Sequence, residues 1–145
     1  MTDAKPLIAK LERVKKGSRE LNGHVALAVG WTVKAERGEK DATGQEWTRW
    51  LWKAPGKFGL WISLPNHGQI FEVANHVPHY TTSFDAALTL VPEGKDVDLY
   101  IAGLGGRYQS CAVDILHPET DEKLGTGNRT TPALALCIAA LKARE

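Results

Sequence analysis

The chain has 145 residues, of which 43% are hydrophobic and 24% charged, a balance that fits one folded globular domain and excludes a largely disordered polymer. Net charge is +1, too small for a domain devoted to nucleic acid, yet unevenly spread: residues 1–57 hold 12 Lys/Arg against 7 Asp/Glu, and residues 58–145 hold 6 against 10. An anionic partner is therefore steered toward one end of the molecule. Cys111 and Cys137 sit in apolar patterns without a CxxC or a Cys/His cluster, so both are expected as buried thiols of a reducing compartment. With no charged-then-apolar leader and no apolar run of membrane length, the expectation is a cytoplasmic protein that does not cross a membrane.

In chain order, Leu7, Ile8, Leu11 and Val14 recur at helical spacing and predict a surface helix over 5–16, stopped by Gly17. Ser18 then caps a second helix over 19–29 that ends at Gly30, the pair forming an αα-hairpin. WTVKAERGEKDATGQE, residues 31–46, loses all periodicity and is read as an exposed loop. β-favouring residues return in WTRWLWK, residues 47–53, where Trp50 and Trp52 share one face and Arg49 and Leu51 the other. A turn at Pro55-Gly56 joins it to FGLWISL as a hairpin, and residues 69–77 are left as an edge strand or irregular chain.

A short helix is predicted from Phe84 to Leu90, after the hydroxyl run Tyr80-Thr81-Thr82-Ser83. VDLYIAG and RYQSCAVDILH follow as strands joined by GLGG, the second apolar on both faces and hence central. HPETDEKLGTGN reads as a solvated loop, and 132–144 as the final helix. The order ααββαββα in a single domain, residues 1–145, implies an α+β fold built on a mostly antiparallel sheet of four to five strands.

PHYTTSFDAALTLVPEG, the later TPALALCIAALKAR and the upstream RELNGHVALAVGW together resemble the phage ABA sandwich domain family of tailed-phage accessory proteins, over about a third of the chain. The resemblance implies a layered α/β/α sandwich and a phage accessory gene, and it carries no catalytic residues. Residues 32–76 match nothing in it.

Four constellations can carry chemistry. Helix starts at 82–85 and 131–134 offer unpaired N–H groups and a positive dipole end to an anion, with His79, Tyr80 and Thr82 beside the first and Asn128, Arg129 and Thr130 beside the second. Plain capping by Thr82, Ser83 and Thr131 accounts for the same residues. Asp85 already occupies the field of the first start, so the second is the better anion site. Trp47, Trp50 and Trp52 with Arg49 and Lys53 compose a base-stacking platform with a cationic rim, or else core or subunit interface. His67, His76 and His79 with Glu72 match no zinc spacing, and no metal or other cofactor is expected. GLGGR lacks the following helix that a phosphate loop needs and reads as a hairpin turn, leaving Arg107 to present a guanidinium. No catalytic set emerges.

The expectation is thus a homo-oligomeric phage protein that sequesters a small anionic, nucleotide-like ligand, such as a host-defence signal. The alternative is an interaction protein that inhibits a host protein through a Trp-rich surface at Trp47, Trp50 and Trp61. Hydrolysis of such a signal by His79 or a metal is the third reading.

Overall fold

The structure is a computed structural model that describes residues 4–37, 44, 48–56, 62–64, 77–107 and 109–144. It is α+β, with helices α1 (Lys5–Leu11), α2 (Arg19–Ala28), α3 (Phe84–Leu88) and α4 (Pro132–Ala143). The strands are β1 (Thr32–Arg37), β2 (Thr48–Lys53), β3 (Ile62–Leu64), β4 (Asp96–Ala102), β5 (Ser110–Leu116) and β6 (Lys123–Arg129). The expected single sheet of four to five strands is replaced by two antiparallel sheets of three, β1-β2-β3 and β4-β5-β6. The chain accordingly divides into two compact units, residues 1–18 with 79–145, and residues 19–78. The two N-terminal helices, expected as a hairpin, fall in different units. Among the described residues no helix is long and apolar enough to cross a membrane.

In the unit formed by 19–78, α2 closes with a Schellman turn: Trp31 N–H donates to the Ala26 carbonyl at 2.9 Å and Gly30 N–H to Leu27 at 3.5 Å. Gly30 has φ +106°, a left-handed conformation that glycine adopts without strain. Residues 32–37, expected as loop, pair with β2 from Thr32↔Lys53 to Arg37↔Thr48. Only Val33 and Ala35 of β1 lie opposite Trp52 and Trp50, so the strand has too few apolar residues to show alternation. Trp52 is wholly buried, and Leu51, Leu21, Val25 and Ala26 are buried too. Residues 57–61 and 65–76, which include most of FGLWISL and the uncertain stretch 69–77 up to His76, lie outside the described residues.

The other unit is organised by α4, whose residues Ala133 to Leu141 are all buried. A helix apolar all round must be covered all round, and α4 packs on β6 and β5 and against α3 and α1. β5 is central, with Cys111, Val113 and Ile115 at 0% exposure on one face. Through the register, Gly127 opposes Val113 and Gly125 opposes Ile115, placing both glycines on that same face. There the helix backbone rests directly on the strand: a Cβ on Gly127 would lie 1.9 Å from the Ala135 carbonyl oxygen, and one on Gly125 would lie 2.1 Å from that of Ala139. Two residues of strand advance about 6.6 Å and four residues of helix about 6 Å, so the Gly-x-Gly and Ala-x-x-x-Ala spacings match. This explains why β6 was expected as loop. Its core-facing positions carry no side chain for a hydropathy pattern to register.

Helix α1 ends at Leu11, five residues before the periodicity predicts. The carbonyls of Glu12, Val14 and Lys15 instead accept hydrogen bonds from Arg129 and Thr130. Tertiary contacts thus claim the chain that would have continued the helix.

Candidate anion site beside the last helix

Helix α4 starts at Thr131, whose side chain accepts from Leu134 N–H at 3.4 Å, with Pro132 in the first turn and no acidic residue there. Two segments converge on the preceding residues. Thr130 Oγ1 donates to the Lys15 carbonyl at 2.9 Å. The Arg129 guanidinium donates to the Glu12 carbonyl at 2.8 Å and also to that of Val14. Gln109 Nε2 donates to the Thr130 carbonyl at 3.0 Å, while its Oε1 accepts from Gly105 N–H at 2.9 Å. Segment 12–16, Gly105 and Gln109 between β4 and β5, and residues 129–131 are therefore held together, and the exposed cations Arg13, Lys15, Lys16 and Arg107 lie in or next to them.

The hydroxyl run before α3 is anchored to the same N-terminal segment. Thr81 is 1% exposed; its Oγ1 accepts from Ser18 N–H at 3.0 Å and donates to the Ser18 carbonyl at 3.2 Å. Gly17 makes the approach possible, since a Cβ there would lie 2.1 Å from the Thr81 carbonyl oxygen. Ser83 is the cap of α3, accepting from Ala86 N–H at 3.3 Å, with Asp85 in the first turn. At five residues, α3 is too short to act as a dipole of consequence.

The expected site residues therefore separate. Arg129 directs both terminal guanidinium nitrogens, and Thr130 its hydroxyl, to main-chain carbonyls and so braces the site, while Arg129 Nε is buried with no acceptor among the described residues. His79 and Thr82 are exposed, whereas Tyr80 is 4% exposed and its carbonyl accepts from Cys137 Sγ at 3.0 Å. Arg107 is exposed in the turn between β4 and β5. Trp52 is entirely buried and has no face left for a base; Trp50 is half-buried, its indole N–H enclosed with no acceptor among the described residues. Arg49 holds a β2 position opposite Glu36. His67, His76, Glu72, Trp47 and Trp61 lie outside the described residues, among which no group of three or more His, Cys, Asp or Glu is placed to hold a metal.

Sequence reasoning passed over Gln109, Thr81 and Lys15. None carries a motif, because each takes part in a hydrogen bond between a side chain and main chain remote in sequence. A second polar cluster lies on the face of β5 turned away from α4. Asp114 accepts from Thr126 Oγ1 at 2.8 Å and pairs with Lys123 at 3.6 Å, and Ser110 donates to Asn128 at 3.0 Å. On the neighbouring strand Tyr100 donates to Asp98 at 3.3 Å, and the Asp98 charge holds the phenol above its ordinary range. This face is acidic and unsuited to an anion. Both cysteines are buried free thiols, and burial pushes Cys137 up to about 12.

No family model, curated protein or solved structure matches the chain.

Proposed function

We propose that the chain is a phage accessory protein of the ABA sandwich type that sequesters a small anionic, nucleotide-like ligand as a homo-oligomer in the cytoplasm of the infected host. The observation that carries the reading is the convergence described above: exposed Arg13, Lys15, Lys16 and Arg107 on loops pinned beside an α4 start without an acid in its first turn. Coulomb attraction and the positive end of α4 act on an anion in the same sense there. Pro132 has no N–H, and the N–H groups of Leu134 and Ala135 donate to Thr131, so the cations supply most of the attraction. The α/β/α layering belongs to the same proposal. So does the non-enzymatic role, in which ligand is held and released intact.

The test is isothermal calorimetry with cyclic dinucleotides and ADP-ribose-like signals, followed by heating and recovery of unmodified ligand. Lys15→Glu with Lys16→Glu is expected to weaken binding at least tenfold without changing the circular dichroism spectrum. Absence of binding to every compound in the set sinks the reading, and turnover of bound ligand replaces it with hydrolysis.

A further inference from the structure

The two edges of the β4-β5-β6 sheet are treated differently by the fold. β6 has α4 packed on its core-facing side, is flanked by an irregularity in its pairing near Ile115 and Leu116, and begins and ends in Lys123 and Arg129. β4 has none of these. It pairs regularly with β5 from Asp96↔Leu116 to Ala102↔Ser110, contains neither Pro nor Lys, and has no second strand among the described residues. Long bare edges of this kind are templates for further pairing, which proteins ordinarily block with Pro, Lys or bulges.

Its side chains are unusually open as well. Val97, Leu99 and Ile101 oppose Ile115, Val113 and Cys111, and so lie on the α4 side of the sheet. Helix α4 covers β5 and β6 and stops short of β4, leaving Leu99 38% and Ile101 41% exposed, with Leu104 in the next turn at 78%. On the opposite face Tyr100 is 56% exposed.

We propose that β4 is a self-association strand: two copies pair antiparallel about a two-fold axis through Leu99, joining their sheets into one continuous sheet. The occupant follows from the strand's own charge pattern. An axis normal to the sheet keeps the α4 faces of both copies on one side, so directly opposed residues differ by an even number. With the axis at Leu99, Val97 meets Ile101, Leu99 meets Leu99 and Asp98 meets Tyr100 of the second copy. The last pair repeats across the axis a contact that already exists within the strand, where Tyr100 donates to Asp98. An axis at Asp98 would oppose two carboxylates, and in-register parallel pairing would oppose both Asp96 and Asp98 to themselves; like charges directly opposite are destabilising. An axis at Tyr100 would run Asp96 past the end of the partner strand. Only the Leu99 register uses all seven residues of β4 with no carboxylate facing another.

This surface is separate from the anion site and supplies a contact for the proposed homo-oligomer. Sedimentation equilibrium over a concentration series is expected to show a dimer of the full chain, and hydrogen exchange to show residues 96–102 gaining protection as concentration rises. Leu99→Arg, which sets two cations against each other, should weaken association at least tenfold. Under oxidation Leu99→Cys should cross-link to itself, while Tyr100→Cys, opposite Asp98 and diagonal to its own copy, should not. A dimer that persists in Leu99→Arg, or equal cross-linking at 99 and 100, overturns β4 pairing and leaves homo-oligomerisation through another surface. A monomer at every concentration overturns both, while calorimetry on the same protein still decides ligand binding separately.

Discussion

Arg129 illustrates how a side chain that looks functional in a sequence is taken up by structure. A guanidinium beside a helix start has the chemistry to hold a phosphate, yet here it holds the main chain of Glu12 and Val14. Arg129→Met strands those carbonyls without a partner and is expected to lower unfolding free energy by about 2–4 kcal/mol, read from urea denaturation. Loss of stability under 0.5 kcal/mol, roughly that of a surface change, would show that water replaces the contact. Cys137 yields a pH prediction. Burial raises its folded pKa from 9.0 to about 12, so the unfolded chain loses this proton first as pH rises. Its contribution to stability is complete below pH 9 and declines from there toward 12. Urea midpoints at pH 8 and pH 10 should therefore differ more in the native protein than in Cys137→Ala, which removes this proton from the linkage.

At the scale of elements, the closest contact is that of β6 with α4. Gly127→Ala puts a methyl carbon where the Ala135 carbonyl oxygen stands, so strand and helix must separate. The expected loss is about 3 kcal/mol, the upper range for overpacking, measured by thermal melting together with chemical denaturation. Unchanged stability would mean that α4 slides along the strand at little cost. Removing the α4 cap is a smaller change, since Thr131→Ala forfeits one side-chain acceptor and about 1 kcal/mol. The same contact sets how far the sheet could be read from the chain. Cys111, Val113 and Ile115 announced a central strand by their apolar character, and β5 is central. β6 has glycines where it meets the core, and β1 has only Val33 and Ala35 opposite the tryptophans of β2. Both strands were hidden for the same reason: their neighbours provide the burial.

For the whole molecule, the uneven charge along the chain acquires a location. Arg13, Lys15 and Lys16 belong to the N-terminal piece that packs with 79–145, where Thr130 and Thr81 anchor its main chain. Because the cations involved are exposed, the proposed ligand affinity should fall several-fold between about 0.05 and 0.5 M salt as screening shortens. Salt-independent affinity would argue for a dry, apolar site instead.

What the chain determined alone was local: helical periodicity in 5–11, 19–28 and 132–143, the Gly30 stop, the GLGG turn and the burial of both thiols. These depend on neighbours a few residues apart, which sequence order records. The tertiary structure decided where α1 stops, which threonine of 81 and 82 is buried, that Arg129 braces main chain, and that the strands divide into two sheets. Each of those outcomes rests on hydrogen bonds or backbone contacts between residues remote in sequence, which a pattern of near neighbours does not record.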